Sequence, residues 1–216
     1  MNKNQNVLTG ILLLMGFAAW TFLIQTVDVQ PIGPNGSSVG FAALNGWFHQ
    51  RTGVHWTLYT LTDWLGLVPI CVCLIFAGAG FIQLVRRKSL FKVDLDILLL
   101  GVYYVLVIFC YLMFEMVPIN YRPVRIDGFL EASYPSSTTL LVLSVMPTLC
   151  FQTRRRLTSN ALRQAIRIFS VLFSVFMALG RLVSGVHWLT DIVGAVLLSS
   201  GIFLIYKASV NLLCKR

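Results

Sequence analysis

Three apolar stretches of this chain, residues 7–27, 64–85 and 97–114, run for 18 to 22 residues with no charged side chain. A bilayer's hydrocarbon core is about 30 Å thick and a helix rises about 1.5 Å per residue, so about 20 such residues cross it. Such runs read as spanning helices, so the chain is read as all-α and membrane-embedded. A fourth run is weaker: residues 139–151 are strongly apolar, and 134–151 make 18 residues without a charge. A fifth, 165–180, holds Arg167 near its start, and a sixth, 186–206, holds His187 and Asp191 near its start. The expectation is a six-transmembrane-helix bundle forming one domain over 1–216.

Basic residues test that count. Six spans put both termini on one side, with 13 of the 17 Lys and Arg residues: Lys3, Arg86, Arg87, Lys88, Lys92, Arg154, Arg155, Arg156, Arg163, Arg167, Lys207, Lys215 and Arg216. The other side receives Arg51, Arg122, Arg125 and Arg181. Basic loops stay in the cytoplasm, so the termini are expected there and Arg122, Arg181, His187 and Asp191 at the outer face of the cell membrane. The run at 7–27 exceeds a signal-peptide core, and no small-residue cleavage site follows it; it reads as a retained first span.

Composition excludes two other classes. The chain is 57% hydrophobic and 12% charged, with mean hydropathy +0.78, against about 25% charged residues in a soluble domain. The net charge of +9 would point to nucleic acid in a soluble protein; here it sits beside apolar runs and speaks for topology and anionic membrane lipids. No nucleic-acid partner is expected, and oligomeric state is not legible. Cys71, Cys73, Cys110, Cys150 and Cys214 read as buried free thiols, without metal-ligand spacing. The connection 28–63 opens on a turn-rich piece, 31–38, and continues at 40–51 with a short helix expected at the outer interface, Trp47 and Trp56 at headgroup depth. A packed re-entrant segment is its rival. His49 and His55 read as ordinary interfacial histidines.

Three polar segments need a chemical reason. Arg122-Pro123 follows the third span, on the side poor in arginine. Pro135-Ser136-Ser137-Thr138-Thr139 leads into the fourth, where a proline and small hydroxyl residues start a helix whose free N–H groups attract anions. Stretch 180–191, GRLVSGVHWLTD, holds Arg181, His187 and Asp191. His187 and Asp191 are four apart and so expected on one helix face, where a carboxylate can fix the tautomer of a nucleophilic imidazole. Each segment alone has a bland reading: a snorkelling arginine, a serine cap, a structural His–Asp pair. Together they assemble what a phosphoryl group requires, guanidinium and N–H donors facing a nucleophile.

In order and spacing these segments resemble the signature of the type 2 phosphatidic acid phosphatases, membrane lipid phosphatases related to vanadium haloperoxidases: K-x6-R-P, then P-S-G-H, then S-R-x5-H-x3-D. Arg122-Pro123 matches the end of the first motif and Pro135-Ser136 the start of the second. Arg181, His187 and Asp191 match the third. The resemblance implies a hydrolase of lipid phosphates or diphosphates, such as undecaprenyl diphosphate or phosphatidylglycerol phosphate, working through a phosphohistidine intermediate without a metal or cofactor. It implies His187 as nucleophile, Asp191 as its orienting group, and Arg122, Arg181, Ser136 and the Ser137 N–H as phosphate ligands.

The chain departs from that signature at three positions. Glu115 replaces the first-motif lysine and is expected to brace Arg122 or Arg181. Gly180 replaces the serine before Arg181. Thr138 stands where the family has the histidine that protonates the leaving group, and a hydroxyl cannot do this near neutral pH. Losing such an acid typically costs about 10²–10⁴-fold in rate. Thr138 therefore reads either as an engineered change that traps substrate, favoured by survival of the other phosphate ligands, or as a natural feature of an impaired enzyme. The alternative from another class is a non-catalytic lipid-phosphate-binding or scaffold membrane protein. A transporter fits less well, because charges within the spans cluster at helix ends rather than along a path.

Overall fold

The computed structural model describes residues 3–214, which form eight α-helices and no strands. They are α1 (Lys3–Thr26), α2 (Ala42–Thr52), α3 (Trp56–Leu65), α4 (Leu67–Arg87), α5 (Leu95–Met116), α6 (Ser137–Arg156), α7 (Asn160–Val183) and α8 (Leu189–Leu213). Five segments are long and apolar enough to cross a membrane: α1, the joined α3–α4, α5, α7 and α8. The chain is a multi-pass membrane protein. Lys215, Arg216 and the side chain of Lys3, three of the basic groups assigned above to one face, lie outside the described residues.

α8 lies at the centre, packed by α1 along one side and by α5 and α6 on others. α6 is the second interior helix, held between α7 and α8 with α4 and α5 behind it. Its polar residues follow from that position. The Tyr103 hydroxyl donates to the Ser144 carbonyl at 2.9 Å, and Tyr104 and Thr148 share a hydroxyl hydrogen bond of 2.7 Å. Gln152 Nε2 donates to the Tyr206 hydroxyl at 2.5 Å. Neighbouring helices satisfy these groups, so α6 is far less apolar than the helices around it. Its last turn, Arg154–Arg156, complements the negative end of the helix dipole, and Asp96 pairs with Arg155 and Arg156 at 3.3 and 2.9 Å.

Several boundaries move from those expected. The run starting at 64 begins as helix at Trp56 and is interrupted at Gly66, whose N–H bonds back to Thr62 and Asp63. Asp63 halted the sequence reading, yet its carboxylate leaves this helix sideways to meet Arg181. α7 begins at Asn160, capped by Ser159 Oγ, which accepts from the Leu162 N–H at 3.3 Å. The cysteines are free as expected but not buried: Cys71 is exposed and the other four are half-buried.

Two features position the functional end of the bundle. Asn45 of α2 is buried and clasps the start of α8, donating to Thr190 Oγ1 at 3.0 Å and accepting from the Thr190 N–H at 3.3 Å. Between α7 and α8 the chain turns at Gly185, with φ +72°; a Cβ there would lie 1.9 Å from the Gly53 carbonyl oxygen. Only glycine fits that approach, and the turn directs His187 inward.

Candidate active site

Arg122, Ser136, Arg181, His187 and Asp191 are all buried at one end of the bundle, where α6 and α8 begin and α5 and α7 finish. Asp191 is the third residue of α8. Its Oδ2 accepts the Trp188 N–H at 2.8 Å, which caps the helix, and also accepts the Ser133 hydroxyl. His187 is not on the helix: it precedes the cap residue Trp188. The expectation that His187 and Asp191 share a helix face is thus corrected. Their Nδ1–Oδ2 separation is 3.6 Å, close enough for electrostatic coupling but too long for a hydrogen bond.

The link runs through Ser133, which lies 3.2 Å from His187 Nδ1. With Asp191 ionised, Ser133 gives it its one proton and can only accept from the imidazole. Nδ1 is therefore the protonated nitrogen, and Nε2 keeps its lone pair. That lone pair faces Arg181, whose Nη2 is 3.3 Å away. Burial lowers the His187 pKa well below its ordinary value of 6.5; the charges of Arg122 and Arg181 act in the same direction, and a backbone contact with Ser133 opposes them. The imidazole therefore stays neutral through the pH range in which a free histidine protonates. The profile of kcat/KM reports free-enzyme groups, so its His187-dependent acid limb is expected below pH 6.5. A limb at or above that value would contradict this environment.

The arginines are buried without full pairing. Arg181, 1% exposed, has Asp63 at 3.6 Å and stacks its guanidinium 4.9 Å from the Tyr59 ring centre. Arg122 has Glu131 at 3.1 Å. Yet Arg122 Nη1 and Arg181 Nε have neither a hydrogen bond nor a carboxylate, while Arg122 Nε and Arg181 Nη1 face only Glu131 and Asp63. An unsatisfied buried polar atom costs about 1–3 kcal/mol, so the two guanidinium nitrogens without any partner are a standing destabilisation of about 2–6 kcal/mol. An anion with several acceptor oxygens would relieve it.

The remaining predicted residues are arranged around this centre. The Ser136 N–H donates to the Asp191 carbonyl at 3.3 Å, tying the start of α6 to that of α8. The Ser136 hydroxyl donates to Thr139 Oγ1 at 3.0 Å rather than capping its own helix, which leaves the first-turn N–H groups of α6 without an acceptor from that side chain. Ser137 and Thr138 line a cavity of about 280 Å³ together with Asp63, Tyr111 and the apolar side chains Leu67, Ile70, Val107 and Leu141. Glu115 is beside Ser133 and Ser137 on a neighbouring wall but, among the described residues, forms no ion pair. The acids that hold the arginines are Glu131 and Asp63, a correction to the expected bracing by Glu115. Sequence reasoning missed Ser133, Glu131 and Asp63, because none has a fixed spacing to the motif it serves.

A family model for the PAP2 superfamily matches residues 72–213. Among solved structures, the fold is similar to a transmembrane PAP2-type phosphatidylglycerolphosphate phosphatase from Bacillus subtilis, at 16% identity and a TM-score of 0.64, over 95% of this chain and 97% of that one. A search of curated proteins finds no match. With two thirds of its length matched, from α4 to the end of α8, the chain belongs to the PAP2 superfamily, and so to phosphoric ester hydrolases in general.

Proposed function

We propose that the protein is a membrane lipid phosphatase that works at the outer leaflet on a lipid diphosphate, through a phosphohistidine at His187. The observation that carries this reading is the set of unpartnered guanidinium nitrogens on Arg122 and Arg181 around the neutral Nε2 of His187. In this reading the terminal phosphate is held by both arginines, the Ser136 hydroxyl and the Ser137 N–H. His187 Nε2 attacks the terminal phosphorus, and its bond to the oxygen bridging the two phosphates breaks, releasing the lipid monophosphate. Ser133 and Asp191 stabilise the imidazole that has become cationic. Water then attacks the phosphohistidine, forming inorganic phosphate and freeing Nε2. The arginines supply the charge that a metal would otherwise carry.

The apolar cavity beside Ser137 and Thr138 suits the hydrocarbon chain of a lipid substrate, entering from between α4, α5 and α6. The leaving group favours a lipid diphosphate such as undecaprenyl diphosphate over a lipid monoester such as phosphatidylglycerol phosphate. Thr138 cannot protonate a leaving group, and Asp63, the carboxylate on that wall, is engaged with Arg181. A departing phosphate has a second pKa of about 6 and needs no proton near neutral pH. A departing alkoxide is about as basic as hydroxide, whose parent water has a pKa near 15.7, and it does need one.

The same reading makes α6 a span as well, the fourth of six in chain order, its polar residues shielded by neighbours, and α2 a helix at the outer interface, with Trp47 exposed on α2 and Trp56 exposed where α3 begins. The basic ends of α4 and α6 then face the cytoplasm with both termini, and the chain is one domain. The test is a lipid diphosphate labelled on its terminal phosphate. Quenching in base should leave an acid-labile label on the peptide carrying His187. Phosphate release with no such label at any time point would rule this mechanism out. The second reading, a non-catalytic binder of lipid phosphates, rests on Glu115 and Thr138; tight binding with no release from either lipid class would favour it.

A further inference from the structure

A second cavity lies at the opposite end of the bundle from His187. It is a groove of about 740 Å³ between α6, α7 and α8, within the range typical of small-molecule sites, about 300–1,000 Å³. Lining residues on α7 run from Asn160 to Val175 at helical spacing, a length of about 22 Å. That exceeds the roughly 15 Å depth of hydrocarbon in one leaflet. Pro147 of α6 helps shape the groove: it has no N–H to give the Leu143 carbonyl, one turn back, and both residues line the wall.

The groove is amphipathic along its length. Val171, Val175 and Phe203 form its inner walls, and Arg154, Arg163, Arg167 and Lys207 gather at its mouth. No carboxylate lines it. Arg163 is committed to the Leu157 carbonyl. Arg154, Arg167 and Lys207 enter no ion pair among the described residues, and the nearby acid Asp96 is held by Arg155 and Arg156. Ser170, 2% exposed, faces the groove with its hydroxyl unpartnered. A helix crossing a bilayer would otherwise turn this polar stripe toward hydrocarbon, where unpaired groups are costly.

We infer that this groove binds one anionic phospholipid of the leaflet opposite the active site, with its phosphate among Arg154, Arg167 and Lys207 and an acyl chain along Val171, Val175 and Phe203. The charge at the mouth selects an anionic headgroup, and the apolar depth selects a lipid over a soluble phosphate. The site shares no residue with the phosphate site at His187, so it is a second lipid site rather than part of substrate binding.

Native mass spectrometry of the full chain in detergent tests this, with equal amounts of phosphatidylglycerol and phosphatidylcholine bearing the same acyl chains. One phosphatidylglycerol per chain should be retained with at least about tenfold preference, given the contribution of each basic residue near a lipid headgroup. His187→Ala should leave that preference unchanged. Arg154→Gln, Arg167→Gln and Lys207→Gln combined should bring the two lipids to parity. Equal retention by the unaltered chain, or an unchanged preference in the triple variant, would overturn the inference. Independently of any variant, phosphatidylglycerol with a photoreactive acyl chain should label α7 between residues 160 and 175. Labelling only elsewhere would overturn it, as would protection of that face by a second copy of the chain.

Discussion

Replacement of His187 by alanine is expected to lower phosphate release from a lipid diphosphate by at least about 10⁴-fold, the scale seen when a nucleophile is removed from an assembled site. That corresponds to about 5 kcal/mol of transition-state stabilisation. The size follows from geometry. His187 Nε2 is the unprotonated atom because Nδ1 is held by Ser133 and, through it, by Asp191. Substrate binding should persist, since Arg122 and Arg181 remain, so the loss appears in kcat with KM changed little. Removing His187 takes away the Nε2 facing Arg181, so a KM that rises while kcat holds would assign His187 to binding rather than attack. The measurement is steady-state phosphate release in mixed micelles, with substrate binding followed separately.

The second large effect concerns Thr138. Thr138→His should raise hydrolysis of a lipid monoester by about 10²–10⁴-fold, the usual contribution of a general acid. Hydrolysis of the lipid diphosphate should rise far less, because its leaving phosphate is stable without a proton. The variant therefore narrows the substrate preference, and that ratio is the diagnostic quantity. Space for the larger side chain exists: Thr138 borders the 280 Å³ cavity, and its neighbour across it is Gly66. Equal acceleration of both substrates would show that Thr138 does not discriminate between leaving groups. No acceleration of either would remove position 138 from the reaction, and activity lost in the added His187→Ala change would confirm that any gain flows through the same nucleophile.

How much of this was legible in the sequence differs by element. α1, α5 and the body of α4 were readable because their runs are uncharged and face lipid, so composition alone specifies them. α6 was the weak case for the opposite reason: as an interior helix it carries polar side chains such as Thr148 and Gln152, satisfied by Tyr104 and Tyr206. Hydropathy reads lipid exposure, and a helix shielded by other helices escapes it. The third motif was legible because Arg181 at the end of α7, His187 on the turn and Asp191 in the first turn of α8 fall within 11 consecutive residues, where spacing constrains geometry. Ser133, Asp63 and Glu131 were not, because each reaches the site from another segment.

The sequence by itself determined that the chain is helical and membrane-embedded, and that its basic residues crowd one end. It also determined which residue types gather around 180–191, because charge and hydropathy act locally and need no knowledge of neighbours. Only the tertiary structure decided that His187 sits off the helix on a turn forced by Gly185, that Ser133 stands between it and Asp191, and that the acids beside the arginines are Asp63 and Glu131 rather than Glu115. Those facts depend on which segments pack together. A hydrogen bond is made or lost within a few tenths of an ångström, a distance set by helix packing rather than by the order of residues along the chain.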